Sequence, residues 1–182
     1  MSNGTSSAIT RRQFLAGTAT ATAGALAVPY YVPASSLGAA GVAAPSERIV
    51  MGGIGLGGRG SYDLGYMLNE KDVQWVAVCD VHKGRREAAK NLVDNKYGHK
   101  DCAAYSDMRQ LLTERTDVDA VLIATGDRWH ALASILAMRA GKDVYCEKPS
   151  CLTMAEGQAV VETAKRYGRV YQTGAQRLSE AN

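Results

Sequence analysis

RIVMGGIGLGGRG, residues 48–60, is a short apolar run that breaks off into glycine. Ile49, Val50, Met51 and Ile54 suit a buried strand, expected over Arg48 to Ile54. The next six residues, Gly55-Leu56-Gly57-Gly58-Arg59-Gly60, match G-x-G-x-x-G and open an amphipathic stretch to Asn69 with Leu64, Met67 and Leu68 on one face. A second apolar run, Val73 to Cys79, leads into Asp80, 20 residues past Gly60. Strand, glycine turn, helix, strand and acid at this spacing read as a dinucleotide-binding fingerprint. Gly55 permits the tight turn, Gly57 lets the backbone approach a pyrophosphate, and Gly60 lets helix and strand pack closely. Gly58 and Arg59 complete the turn, whose amides and dipole face the phosphates. Asp80 can accept hydrogen bonds from the adenosine ribose hydroxyls. Its charge favours NAD over NADP, although His82, Lys83, Arg85 and Arg86 follow closely enough to cradle a 2′-phosphate.

The same alternation continues outward. Helices are expected over Lys83 to Lys96, with Ala88, Ala89, Leu92 and Val93 inward, over Asp107 to Glu114, and over His130 to Ala140. Strands are expected near Cys102 to Ala104, over Ala120 to Thr125, over Asp143 to Cys146 and from Val170 to Thr173. Thr153 and Glu156 form a T-x-x-E capping box for a helix running to Tyr167. Strands alternating with helices imply an α/β fold, a Rossmann-type doubly wound parallel sheet, over residues 47–182. The tips of the fourth and fifth strands, at Thr125 to His130 and at Glu147-Lys148-Pro149, then face the dinucleotide. A lysine placed there can bond a substrate hydroxyl and stabilise developing negative charge.

The chain has 182 residues, with 21 Lys and Arg, 18 Asp and Glu and a formal charge of +3. Arg11 and Arg12 are the sole charged residues before Glu47, so the remainder is almost neutral. That excludes a nucleic-acid binder, which needs a surplus of basic groups to neutralise phosphates. Residues 1–46 read as a leader: the arginine pair, Phe14-Leu15, a mild alanine-rich stretch, and small residues from Ala34 to Ala44. Glycines, threonines and prolines dilute the stretch too much for a stable membrane span. The pair resembles the twin-arginine translocation signal, so the translocation machinery is an expected partner and the periplasm the expected destination. Pro45 argues against cleavage directly after Ala44, which places the site loosely within 36–44. Cys79, Cys102, Cys146 and Cys151 show no CxxC spacing, and with three histidines no metal-ligand pattern emerges. Free thiols and no metal are expected.

The glycine turn, the AVLIAT strand followed by His130, and above all Ala140-Gly141-Lys142-Asp143-Val144-Tyr145-Cys146-Glu147-Lys148-Pro149 resemble the Gfo/Idh/MocA oxidoreductases. The resemblance covers Arg48 to Arg177. It implies bound NAD or NADP and hydride transfer to or from a sugar, polyol or related carbohydrate; a homo-oligomer is compatible with it. It assigns Lys148 to catalysis and cofactor contact, Glu147 to cofactor contact, His130 to the nicotinamide side, and Thr125 to the cofactor-facing turn. An NAD-dependent glycoside hydrolase of the same family, or a non-catalytic dinucleotide-binding module, would share these features. Two departures stand out. Gly126 replaces the proline that commonly follows Thr125, with Asp127 expected to compensate by capping the next helix. The substrate domain that relatives carry is not found before Asn182, so the chain reads as part of a longer enzyme.

If residues 11 and 12 are an export address, Arg11→Lys with Arg12→Lys leaves the protein in the cytoplasm, because the signal is read by its guanidinium pair. Fractionation of cells expressing both forms checks this, and equal export of the two would contradict it.

Overall fold

In a computed structural model, which describes residues 43–175, six parallel strands form one sheet in the order β3-β2-β1-β4-β5-β6. They are β1 (Ile49–Ile54), β2 (Val73–Cys79), β3 (Ala103–Tyr105), β4 (Ala120–Ile123), β5 (Asp143–Glu147) and β6 (Tyr171–Gly174). Between them lie α1 (Gly58–Met67), α2 (Lys83–Tyr97), α3 (Met108–Glu114), α4 (His130–Arg139) and α5 (Met154–Tyr167). The expected Rossmann-type doubly wound sheet is therefore present, and the twin-arginine stretch lies outside the described residues. Among the described residues no helix is long and apolar enough to cross a membrane.

Each face of the sheet carries its own core. Leu56, Leu64, Leu68, Trp75, Val78, Ala89 and Val93 pack α1 and α2 against one face. Leu111, Leu112, Val121, Ala133, Ala137, Met138 and Val160 pack α3, α4 and α5 against the other. Burial on both faces explains why the central strands are continuous apolar runs and not alternating ones. Ile54, at the end of β1, stands in register with Cys79 of β2 and Ile123 of β4. The order reverses between β1 and β4, so the chain leaves these neighbouring strands toward opposite faces and opens a crevice at their carboxyl ends.

Local chemistry sets the helix limits. Thr153 Oγ1 accepts from the Glu156 amide while the Glu156 carboxylate accepts from the Thr153 amide, the expected capping box. His82 Nδ1 accepts from the Arg85 amide at the start of α2, and Asp107 from the Arg109 amide at the start of α3. Helix α2 is rotated from the expected face: Ala89 and Val93 are buried, whereas Ala88 and Leu92 are exposed. The cause is polar. Buried Asp94 accepts from Lys90 Nζ at 2.8 Å and from the Cys102 amide at 3.1 Å, while Lys90 also reaches the Cys102 carbonyl, drawing that side of α2 onto the sheet edge.

A buried cation ties the approach to β4 to the start of β5. Lys142 is 4 % exposed, and its ammonium donates to the carbonyls of Arg115, Thr116 and Val118 at 3.0, 3.2 and 2.7 Å. All three of its N–H groups thus have acceptors, which offsets the cost of taking the charge out of water. Lys142→Met is expected to leave three carbonyls without a donor and to cost about 3 kcal/mol. Urea unfolding of both proteins measures this; an unchanged midpoint would show that the clamp contributes nothing.

Candidate functional site

A cleft of about 820 Å³ lies at the carboxyl ends of β1, β2 and β4 and the start of α3, a volume suited to a sizeable ligand. Gly55, Gly57, Asp80 and Thr125 line it, together with Val81, Arg85, Arg128, Trp129, Leu132 and Leu136. One wall is thus apolar, and Val81, Trp129 and Leu132 remain well exposed.

The glycine turn holds its shape through backbone contacts that a side chain would break. Gly55 has φ +80°, and a Cβ there would sit 2.6 Å from the Thr125 backbone. A Cβ on Gly60 would strike the Gly55 carbonyl oxygen, so β1 and α1 approach as closely as the motif requires. Gly57 and Gly58 are different. A Cβ on Gly57 would meet only the Arg85 guanidinium, at 3.4 Å, and one on Gly58 would meet nothing within 4 Å. These two glycines therefore keep open the space in front of the helix.

Helix α1 begins at that space without a side-chain cap, whereas His82, Asp107 and Thr153 cap α2, α3 and α5. The first amides of a helix have no carbonyl one turn earlier, so α1 presents unfilled donors and its positive dipole end to the cleft. An anionic pyrophosphate fits that donor set, and the open faces of Gly57 and Gly58 admit it.

Asp80 is 5 % exposed and holds two turns at once. Its Oδ2 accepts from the Leu56 amide at 2.9 Å and its Oδ1 from the His82 amide at 2.8 Å. Each carboxylate oxygen retains a second acceptor site, so ribose hydroxyls can be bound from the cleft as well. Of the basic residues that follow, Arg86 donates to the Asp80 carbonyl at 2.6 Å, and Lys83 faces Glu87 on the exposed surface. Arg85 lies beside Gly57. Cys79 also lines the cleft, but burial pushes its thiol up to about 12, so it is not a ready nucleophile.

The expected residues of the fourth and fifth strand tips divide. Thr125 packs against Gly55 of the glycine turn and lines the cleft. His130 instead is 1 % exposed, with Nδ1 2.6 Å from the Pro149 carbonyl and Nε2 3.1 Å from the Thr125 carbonyl. It does not line the cleft: it bridges the β4 and β5 tips from behind. Asp127 does not cap α4 by its side chain; it opens a 3-10 turn, Asp127–Trp129, and only its backbone carbonyl receives the His130 amide. Lys148 is exposed, and its ammonium makes no hydrogen bond or ion pair among the described residues. Its own amide donates to the Glu147 carboxylate at 3.3 Å.

Glu147 is 3 % exposed and faces Arg59, whose Nε lies 3.3 Å from its Oε1. Arg59 also pairs with Asp63 at 2.8 Å, and burial is the main cause that pushes the Asp63 carboxyl up to about 6. The sequence reading did not single out Asp63. The signal available for it was the Arg59-to-Asp63 spacing of four residues, which places both on one face of the helix opened by the glycine turn. Among the described residues no group of His, Cys, Asp and Glu is arranged to hold a metal. Their four cysteines are free, and Cys79, Cys102 and Cys146 are buried.

The family model described as an oxidoreductase family with an NAD-binding Rossmann fold, Gfo/Idh/MocA, matches residues 48–175. The chain belongs to the Gfo/Idh/MocA family. It is 36 % identical over 117 residues to an inositol 2-dehydrogenase of Salmonella typhimurium, covering 64 % of this chain and 33 % of that protein. It is 33 % identical over 138 residues to an alpha-N-acetylgalactosaminidase of Shewanella oneidensis, covering 74 % of this chain and 30 % of that one. Among solved structures, a probable dehydrogenase of Thermotoga maritima matches with TM-score 0.62 at 30 % identity, over 70 % of this chain and 36 % of that chain. The chain thus spans about a third of the length of the curated relatives it matches.

Gly57→Val is expected to fold normally, because a Cβ there has the exposed Arg85 guanidinium as its nearest neighbour at 3.4 Å, and to weaken NAD binding at least ~10-fold by filling the pyrophosphate space. Calorimetric titration against the parent protein reads the loss. Undiminished affinity would remove the phosphates from the start of α1.

Proposed function

We propose that this chain is the NAD-binding part of an exported oxidoreductase that moves hydride between a nicotinamide cofactor and a sugar, polyol or related carbohydrate. The observation that carries the reading is the uncapped start of α1, open in front of Gly57 and Gly58 and flanked by the Asp80 carboxylate. NAD fits this arrangement, because a carboxylate at the ribose repels a 2′-phosphate. The relatives named as inositol dehydrogenases support a polyol or sugar as the partner in the reaction.

The bound nicotinamide supplies the hydride acceptor or donor. The chain's own residues supply the setting. Gly57, Gly58, Arg59 and Gly60 present the backbone to the pyrophosphate, and Asp80 receives the ribose. Thr125 closes the turn beneath, and the His130 ring packs between the Thr125 and Pro149 carbonyls. Glu147 is buried next to the exposed Lys148, whose ammonium would hold the substrate hydroxyl and stabilise the charge that develops on its oxygen. Export rests on Arg11-Arg12 and the weakly apolar stretch after them. The carbohydrate itself requires positioning opposite Lys148, which is worth several kcal/mol of barrier in reactions of this kind.

A second reading, a glycoside hydrolase that uses NAD without net consumption, is favoured by the likeness to the alpha-N-acetylgalactosaminidase and to a glycosyl hydrolase family 109 protein of Shewanella baltica at 33 % identity. Product analysis of the enzyme that contains this chain separates the two. NADH formed in step with oxidised polyol or sugar supports the oxidoreductase. Free reducing sugar with no net change in NADH contradicts it and establishes the hydrolase.

A further inference from the structure

The cleft serves one half of a dinucleotide. In the strand order β3-β2-β1-β4-β5-β6, Asp80 follows β2 on one side of β1, and Lys148 follows β5 on the other. A pyrophosphate resting on the turn after β1 therefore sends one nucleoside toward Asp80 and the other toward Lys148. Asp80, Val81, Ser106 and Met108 line the cleft, whereas Glu147 and Lys148 do not. The cleft is thus the place for the nucleoside whose ribose meets Asp80, and its remaining wall must suit the base attached to that ribose.

That wall is apolar. Trp129, Leu132 and Leu136 line it at i, i+3 and i+7, along α4 and the 3-10 turn that leads into it, so they form one stripe. Val81, directly after Asp80, lines the same space. Val81, Trp129 and Leu132 are 88, 48 and 45 % exposed. Large apolar side chains left in water around one cleft mark a surface made to be covered. Continuity with the ribose carboxylate decides what covers it. An adenine ring has two flat faces suited to apolar contact and a polar edge that can stay in water. Trp129 is the aromatic residue of this wall, and stacking of a base on an aromatic face is the strongest contact such a wall can offer.

We infer that Trp129 is a cofactor-binding residue: the adenine ring of the dinucleotide stacks on its indole, with Val81 and Leu132 closing around the ring. The inference deepens the NAD-binding reading and rests on it. It also places the chain's affinity in the adenosine half of NAD, because the nicotinamide half lies outside the cleft.

The chain has two tryptophans, Trp75 in the core and Trp129 at the cleft, so emission from the exposed one reports directly on its surroundings. The test is fluorescence and calorimetric titration of the full chain with NAD, ADP-ribose and nicotinamide mononucleotide, for the parent, Trp129→Phe and Trp129→Ala. NAD and ADP-ribose are expected to quench the emission of the parent and to bind with affinities within about threefold of each other. Nicotinamide mononucleotide is expected to do neither. Trp129→Phe, which keeps a ring face, retains the affinity and loses the quenching, whereas Trp129→Ala binds both adenine ligands about tenfold more weakly. Quenching is a readout that a tryptophan with a purely structural role would not give.

NAD binding that leaves the parent's emission unchanged, or equal affinity of Trp129→Ala and the parent, overturns the role of Trp129 while the NAD-binding reading stands. Nicotinamide mononucleotide that binds as tightly as NAD and quenches the emission overturns the assignment of the cleft to the adenosine half. A parent that binds neither NAD nor ADP-ribose sinks the NAD-binding reading and the inference with it.

Discussion

The site depends on where one buried carboxylate sends its two oxygens. Asp80, at the end of β2, takes the Leu56 amide on one and the His82 amide on the other. Burying a carboxylate is costly unless such partners are supplied, and here they come from the two loops that must not move. The first bond locks the glycine turn to the neighbouring strand; the second starts the turn that His82 then caps. With the turn fixed, the tip of β1 meets Thr125 so closely that Gly55 tolerates no side chain. The cleft, the open helix start and the cleft-lining Asp80 carboxylate follow from the same few contacts.

The same economy joins the strand tips on the other side of the switch point. Buried His130 sits between the Thr125 and Pro149 carbonyls, with a ring nitrogen 3.1 Å from the first and 2.6 Å from the second, so the turn after Lys148 packs against the turn that carries Thr125. Arg59 links α1 to Glu147 at the end of β5. Lys148 itself is exposed.

Much of this was legible in the sequence because it rests on backbone rules. Val73 to Cys79 forms β2 with the expected limits, and the T-x-x-E box caps α5, since periodicity and capping are local properties. The glycine motif predicted its own geometry for the same reason. What escaped was decided by long-range polar contacts. Ala88 and Leu92 looked inward on apolar character alone, but Lys90 and Asp94 are drawn in by Cys102, on the neighbouring strand's approach, and turn the helix. His130 was expected on the nicotinamide side, and the two carbonyls beside its ring nitrogens are ones that only the folded sheet brings within reach. Asp63 carried no motif, and the sharing of its guanidinium partner with Glu147 appears only when β5 delivers Glu147 to Arg59. Asp127 sat at a capping position in the sequence, but the 3-10 turn it opens puts its backbone, not its carboxylate, in contact with α4.

The central claim is that a dinucleotide rests its pyrophosphate on the uncapped start of α1 with Asp80 at the ribose. Amide chemical shifts of the nitrogen-15-labelled chain, followed as NAD is added, test it most directly. The account predicts the largest changes at the amides of Gly57, Gly58, Arg59 and Gly60 and at those of Leu56 and His82, which Asp80 holds. Saturable binding that leaves these amides unmoved and shifts residues elsewhere on the sheet would contradict it.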